Sequence, residues 1–165
     1  MPEPTHQRAA IGMDPDEVRA FLARGRIMTV ASVDADGSVH LVPMWYALAD
    51  GYPVMWTNGR SQKIVNLRRN PRVTALVEDG REYQELIGVQ LVGRAELIED
   101  RPAVLAIGRA VAERYDLPAT DDILQYQATK RVAVRIVPDR VVSWDHAKLA
   151  ESPRDHARFP AGKRA

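Results

Sequence analysis

A short basic segment, residues 56–67, contains the side chains best suited to bind an anion. A strand is predicted to end in it, a glycine-containing turn follows, and a helix begins. The turn and the first part of this helix carry Arg60, Ser61, Lys63 and Asn66. A helix N-terminus presents unpaired N–H groups and a partial positive charge, so cations placed there destabilise the helix unless an anion compensates. The segment therefore predicts a phosphate site, with a solvated basic turn as the alternative interpretation.

The composition indicates one globular domain without cysteine chemistry. The chain has 165 residues, of which 45% are hydrophobic and 27% charged, and its net charge is +1. This charge produces no strong field for nucleic acid or an anionic membrane. The sequence contains no cysteine, which excludes disulfides and thiolate catalysis, and its histidines lack the spacing of a metal site. Without a signal peptide or an apolar run of roughly 20 residues, we expect a cytoplasmic protein that binds neither nucleic acid nor membrane.

Strand patterns separated by hairpin turns dominate the chain, with helices at a few interruptions. Asp-Gly pairs at 36–37, 50–51 and 79–80 are turn signals, and Asp14 to Glu17 has the pattern of a capping box at a helix start. The predicted strands are 27–33, 39–48, 54–57, 72–78, 82–98, 131–137 and 141–144. The predicted helices are 14–24, 62–69, 100–115 and 120–127, the last capped by Thr120. This mainly β (α+β) pattern favours an antiparallel barrel with peripheral helices, and the lack of G-x-G-x-x-G argues against a Rossmann fold.

Two predicted strands contain residues that disturb a regular ladder. Pro43 interrupts the 39–48 run, and because proline has no N–H it belongs at a sheet edge, a bulge or a break. The 82–98 run is long enough to require a bend, for which Gly88 and Gly93 are the candidates.

Aromatic and histidine side chains are weaker candidates for chemistry. Trp45, Trp56 and Trp144 have rings that could stack on a ligand, but Trp56 is expected to pack in the core. His40 is expected to be a structural or surface residue, and Asp145-His146 lacks a nucleophile that would make it a catalytic dyad.

Several short motifs occur in a fixed order between residues 14 and 146. They are Arg26-Ile27-Met28-Thr29-Val30-Ala31, Asp36-Gly37-Ser38-Val39-His40-Leu41-Val42-Pro43-Met44-Trp45-Tyr46, Trp56-Thr57, Ser61-x-Lys63-x-x-Asn66-Leu67, Asn70-Pro71-Arg72-Val73, Val92-Gly93-Arg94-Ala95-Glu96-Leu97 and Ser143-Trp144-Asp145-His146-x-Lys148-Leu149. Their combination resembles the pyridoxamine 5'-phosphate oxidase-like split β-barrel superfamily, and within it the F420-dependent flavin/deazaflavin oxidoreductase branch B.

The resemblance implies a six- to seven-stranded antiparallel split barrel with peripheral helices over residues 14–146. Residues 1–13 are then expected to be a flexible arm and 147–165 a basic tail. The resemblance also implies a homodimer with the cofactor in a groove between the subunits. It places the cofactor's phosphate on Arg60, Ser61, Lys63 and Asn66, and its ring against the backbone of Val42, Pro43 and Met44 near Thr57. The second subunit is expected to contribute residues from among Trp144, Tyr83, Gln90, Tyr126 and Arg131.

The function implied by the resemblance is F420(H2)-dependent oxidoreduction, with hydride transfer between the deazaflavin and an unsaturated or conjugated small molecule. An FMN-binding oxidase or flavin reductase is the alternative, because FMN needs the same phosphate cluster. A non-catalytic flavin, haem or tetrapyrrole binder is a second alternative. Extra cations near the phosphate end would favour F420, whose tail is longer and anionic; the available residues are Arg26, Arg68, Arg69 and Arg72. The sequence assigns no catalytic acid, base or metal ligand and does not specify the substrate.

Overall fold

One antiparallel seven-stranded sheet organises the protein. The structure is a computed structural model that describes residues 9–151. The strands are β1 (Met28–Val33), β2 (Val39–Met44), β3 (Ala47–Ala49), β4 (Tyr52–Asn58), β5 (Arg72–Asp79), β6 (Ile87–Ile98) and β7 (Arg131–Asp145). They lie in the order β2-β1-β5-β6-β7-β4-β3. The mainly β fold class predicted from the sequence is confirmed.

The two edge strands of this sheet are neighbours in the chain. Only Trp45 and Tyr46 separate β2 from β3, yet these strands lie at opposite edges. The sheet must therefore curl until its edges approach each other, which produces a barrel that is open along one side. The prediction of a single strand over 39–48 was wrong, because the chain changes edge at Trp45-Tyr46. Of the edge, bulge or break expected at Pro43, the structure shows a sheet edge.

The longest strand pair, β6 with β7, bends at a bulge. The register shifts between Val92 and Gly93, where Gly93 pairs with Pro138 and Val92 with Arg140. Asp139 is therefore the extra residue, and β7 continues through the segment 138–140. The prediction of two strands at 131–137 and 141–144 was wrong for this reason, whereas a bend at Gly93 is confirmed.

The helices begin and end largely where the local signals place them. They are α1 (Pro15–Arg24), α2 (Gln62–Arg69), α3 (Arg101–Arg114) and α4 (Asp121–Ala128). Asp14 and Glu17 form the predicted capping box of α1, whereas the Thr120 side chain makes no capping hydrogen bond at α4, which corrects that prediction. Short 3₁₀ helices occupy Tyr83–Glu85 and His146–Glu151. Across residues 9–151, no helix combines the length and apolar character that a membrane span requires.

Two apolar clusters hold the helices on the sheet. The barrel interior is filled by side chains from all the long strands together with Phe21 and Leu22 of α1 and Ile64 and Leu67 of α2. A second cluster packs α3 and α4 on the outer side of β3, β4 and β7. The outer side of β2 keeps Val39 and Leu41 65% and 60% exposed.

The described ends of the chain meet beside β7. The carbonyl of Ile11 accepts a hydrogen bond from the N–H of Asp145, and the N–H of Met13 donates to Ser143 Oγ at 3.0 Å. Residues 1–8 and 152–165, which contain most of the predicted arm and tail, lie outside the described residues.

Candidate functional site

The open side of the barrel lies between β2 and the C-terminal half of β4. β3 pairs only with residues 52–54 of β4, so residues 55–58 have no strand partner on that side among the described strands. β2 likewise has a strand partner on one side only. Backbone N–H and C=O groups on these two edges are available to a ligand, as at any unpaired sheet edge. Val42, Pro43 and Met44 of β2 and Thr57 of β4, which the family resemblance implies lie beside the cofactor ring, belong to these two edges.

The N-terminal turn of α2 lies at one end of the opening and contains an unsatisfied hydroxyl. Ser61 occupies the N-cap position, but its side chain does not cap the helix. Its Oγ is buried and has no hydrogen-bond partner in the described structure. Buried hydroxyls are normally hydrogen-bonded, so an unpaired one marks a position where a bound group could complete the bonding.

Lys63 adds a cation to the same turn. Its side chain is half-buried, and Nζ donates to Thr57 Oγ1 at 3.3 Å. Among the described residues no carboxylate lies within ion-pair distance of Nζ, and burial lowers the pKa of the Lys63 ammonium. Arg60 comes three positions earlier in the chain and is exposed. Its backbone N–H donates a hydrogen bond to Asn58 Oδ1 at 2.9 Å. A desolvated, unneutralised ammonium next to a second cation is the arrangement that an anion stabilises.

Asn66 is buried away from this turn and anchors α2 to β1. Its Nδ2 donates to Ser32 Oγ at 3.1 Å and to Asp34 Oδ1 at 2.9 Å, and its Oδ1 accepts from Gln62 Nε2 at 3.0 Å. Both amide protons are therefore used within the protein. The structure brings Arg60, Ser61 and Lys63 together at the predicted phosphate site and gives Asn66 the contacts of a residue that positions the helix.

An apolar pocket of about 480 Å³ opens beside the ends of β2 and β4. Its volume lies within the range of small-molecule sites. Trp56 forms part of its wall and is otherwise buried, as predicted, with its ring packed against Gly108 of α3. The pocket is lined by Ile27, Pro43, Met44, Trp45, Trp56, Val111, Leu117, Ala119, Leu124, Gln127 and Arg131.

Trp45 is the more exposed of the two tryptophans that line this pocket, and its ring packs against the ring of Tyr115. The two rings stack with centroids 4.7 Å apart. The Tyr115 hydroxyl donates to the Arg26 carbonyl at 2.6 Å and accepts from the Tyr46 N–H at 3.1 Å, while the Arg26 guanidinium lies 4.5 Å from the Tyr115 ring centroid. These contacts hold the link between the two edge strands in one conformation.

A basic groove of about 580 Å³ adjoins the α2 turn on the β7 side. Of the four arginines expected near the phosphate end, only Arg68 lines it. Its guanidinium donates to the Gly59 carbonyl at 3.0 Å and to Glu99 Oε1 at 2.7 Å. Lys130, which the sequence analysis did not identify, reaches the groove because Asn58 pairs with Arg131 across β4 and β7. The groove is lined by Asn58, Gly59, Arg60, Arg68, Glu99, Thr129, Lys130, Arg131 and Val132.

The other three arginines make contacts elsewhere. Arg26 stacks on Tyr115, Arg69 donates to the Val33 carbonyl, and Arg72 lines a groove of about 510 Å³ on the outer side of β1 and β5.

Most residues expected from a second subunit lie outside the apolar pocket. Arg131 is the exception, since it lines both the pocket and the groove. Trp144 pairs with Gly88 across β6 and β7, and its ring covers that glycine. Tyr83 packs edge-on against His146, and the Tyr126 hydroxyl accepts from Lys130 Nζ at 2.5 Å, a bond that lowers the Tyr126 pKa.

Similarity to known proteins agrees with this architecture. Residues 14–145 match the family profile described as pyridoxamine 5'-phosphate oxidase. The conserved hypothetical protein Rv2991 from Mycobacterium tuberculosis is 42% identical, with 98% of each chain covered and a TM-score of 0.83. An F420 reductase is 23% identical over 74% of this chain and 94% of its own, with a TM-score of 0.63. An FAD-binding protein from Mesorhizobium loti is 22% identical over 79% and 94%, also at 0.63.

The last two similarities are too low in identity to show more than a shared fold. No curated protein matches the chain in sequence. The match over residues 14–145, together with the open seven-stranded barrel, shows that this chain belongs to the pyridoxamine 5'-phosphate oxidase family, in its split-barrel superfamily.

Proposed function

We propose that this protein is an F420-dependent oxidoreductase of the flavin/deazaflavin branch B. The observation that supports this most is the α2 turn, where the buried Ser61 hydroxyl lacks a partner and the half-buried Lys63 ammonium lacks a counter-ion in the described structure. A hydroxyl and an ammonium at a helix N-terminus are both able to donate hydrogen bonds to phosphate oxygens. The donor set therefore fits the phosphate of a flavin-type cofactor.

The residues of the opening would each have a distinct role. Arg60, Ser61 and Lys63 would hold the phosphate, and the backbone of Val42, Pro43 and Met44 would contact the polar edge of the ring near Thr57. When bound, reduced F420 supplies a hydride for an unsaturated or conjugated small molecule. The apolar lining of the adjoining pocket would exclude water from the reacting groups, and Trp45 would orient the substrate.

The basic groove favours F420 over FMN. Besides Arg131, which also lines the apolar pocket, its lining contains three basic side chains, Arg60, Arg68 and Lys130, against the single carboxylate of Glu99. FMN ends at its phosphate, so it would not contact these cationic side chains. The anionic tail of F420 extends beyond the phosphate and would pair with them. Neither His40 nor His146 lines the apolar pocket, so the structure offers haem no histidine ligand there.

A homodimer is part of the proposal. The outer side of β2, β1, β5 and β6 carries a row of uncharged side chains in register, namely Leu41, Ala31, Thr74 and Val92. On β2, at the edge of this row, Val39 and Leu41 are exposed, and exposed apolar patches of this kind mark interaction sites. A second copy on this face would bury them and narrow the open side of the barrel.

Parallel titration of purified protein with F420 and with FMN, followed by fluorescence, tests the cofactor assignment. We expect micromolar or tighter binding of F420 and much weaker binding of FMN. The reverse preference would replace the proposal with an FMN oxidase or flavin reductase. Failure to bind either cofactor would overturn the oxidoreductase proposal and make haem or another tetrapyrrole the next ligand to titrate. Rapid reoxidation of bound, reduced F420 by an added substrate would then separate an enzyme from a carrier.

A further inference from the structure

The apolar pocket contains one cation that the protein does not neutralise. The Arg131 guanidinium is half-buried and lies 4.4 Å from the Trp56 ring centroid. Its contact with the Trp56 ring is the one polar interaction of this side chain among the described residues, and no described carboxylate is within ion-pair distance. Burial lowers the pKa of the Arg131 guanidinium. A buried charge of this kind is costly unless a partner is supplied.

Glu99, the acidic residue that lines the adjoining groove, does not supply that partner. It is paired with Arg68 through a bond of 2.7 Å from the guanidinium to Oε1. The pocket itself is lined by apolar side chains, Gln127 and Arg131, and contains no acidic residue. The pocket therefore offers a cationic ligand no carboxylate partner, whereas a carboxylate could pair with the planar Arg131 guanidinium in a bidentate geometry.

Trp45 provides a flat surface in the same pocket. One face of its indole is covered by Tyr115, and the residue remains 46% exposed. Tyr115 is itself fixed by the bonds of its hydroxyl to Arg26 and Tyr46, so the indole has a rigid support. A planar, conjugated molecule gains contact by offset stacking on such a ring.

We propose that this pocket is the substrate subsite and that it selects planar, conjugated carboxylates, with the ring system on Trp45 and the carboxylate on Arg131. This inference rests on the proposed function, since it treats the pocket as the place where a hydride acceptor lies beside the cofactor. It goes further in naming the charge and shape of the substrate.

The test compares two probes of the same shape, 2-naphthoate and 2-naphthamide, by isothermal titration calorimetry with the F420-loaded protein. The variants are Arg131→Gln and Trp45→Leu. Arg135→Gln is the matched control, because Arg135 lies four residues along β7, also stacks on an aromatic ring (Tyr52, 5.9 Å), and does not line the pocket. Thermal unfolding of each variant verifies folding.

We expect the wild type to bind the carboxylate at least about tenfold more tightly than the amide, as a charge-assisted pair predicts. Arg131→Gln should remove that preference, while Arg135→Gln should retain it. Trp45→Leu should weaken both probes alike and leave the preference intact, because stacking does not depend on the carboxylate.

Equal affinity for the two probes in the wild type would overturn the inference, and so would equal effects of the two arginine variants. If Arg131→Gln weakened F420 binding but not the preference for naphthoate, Arg131 would belong to the cofactor site and the subsite assignment would be wrong. The F420 titration distinguishes failure of this inference from failure of the proposed function. Intact F420 binding with no preference for naphthoate rejects only the subsite, whereas loss of cofactor binding in the wild type rejects the proposed function.

Discussion

Trp45 lies flat on Tyr115, with ring centroids 4.7 Å apart and planes inclined by 14°. Tyr115 comes directly after α3, whereas Trp45 belongs to the link between the two edge strands. The contact therefore joins the helical layer to the point where the chain crosses from one sheet edge to the other. Because Trp45 lines the apolar pocket, the position of this side of the pocket depends on the segment that crosses between the two sheet edges.

Removal of the Tyr115 hydroxyl should destabilise the fold while the ring stack persists. Tyr115→Phe leaves the Tyr46 N–H and the Arg26 carbonyl without their partner, and a buried group left unsatisfied costs about 1–3 kcal/mol. Urea unfolding measures the loss. Tyr126→Phe is the control, because that ring is 62% exposed and should change the free energy of unfolding little. Equal free energies of unfolding for the two variants would show that the Tyr115 hydroxyl does not stabilise the Trp45-Tyr46 link between the edge strands.

Lys63 should contribute strongly to cofactor affinity. Lys63→Met removes the ammonium but retains a chain of similar length, and loss of a charged hydrogen bond to phosphate should weaken F420 binding by about 1.5–3 kcal/mol. Fluorescence titration measures the dissociation constant. Arg19→Gln is the control, since Arg19 is an exposed residue of α1 paired with Asp16. An unchanged dissociation constant in Lys63→Met would remove the main support for the phosphate site.

Ser61→Ala should separate binding from stability. Because Ser61 Oγ has no partner in the described structure, its removal takes away an unsatisfied buried hydroxyl and should leave the stability of the cofactor-free protein unchanged or slightly higher. F420 affinity should fall, since the hydroxyl is then lost from the phosphate site. Differential scanning calorimetry and titration measure the two quantities. Lower stability with unchanged affinity would assign Ser61 a purely structural role.

The lowered pKa of Lys63 gives a signed pH dependence. In the cofactor-free protein the folded state releases this proton at a lower pH than the unfolded chain, so Lys63 contributes increasing stability as pH rises from its lowered pKa toward 10.5. F420 affinity should fall over the same range, because the ammonium that binds phosphate is lost. The comparison of wild type with Lys63→Met isolates both effects from other titrating groups. Parallel pH profiles for the two proteins would contradict the assignment.

Local signals in the sequence were sufficient to predict the turn that we propose to bind phosphate. Helix α2 begins and ends where predicted, because the glycine turn precedes it and Asn70-Pro71 stops it. Arg60, Ser61 and Lys63 are separated by at most three positions, so one helical turn brings them together. Asn66 belongs to the same motif, but its role was not evident because its partners, Ser32 and Asp34, come from a distant strand.

The open side of the barrel could not be read from the sequence in the same way. The strand-like pattern continues from Val39 through Leu48, so no local feature shows that the chain crosses to the other edge at Trp45-Tyr46. The basic groove was also hidden, because Lys130 reaches it only through the pairing of Asn58 with Arg131, which lie 73 positions apart (131 − 58). Both features arise from strand pairing between distant segments, which a pattern of residue types does not specify.

The dimer proposal predicts that a charge on the outer face of β2 separates the subunits. Leu41 is 60% exposed and lies beside Ala31 and Thr74 in the uncharged row, so Leu41→Glu would place an unpaired carboxylate in the proposed interface. Sedimentation velocity should then give a monomer of 18.4 kDa instead of a dimer, with weaker F420 binding because half of the groove is lost. Ile123→Glu is the matched control, since Ile123 is 45% exposed on α4, which packs against β3, β4 and β7. A wild-type monomer that still binds F420 tightly would show that one chain forms the complete site.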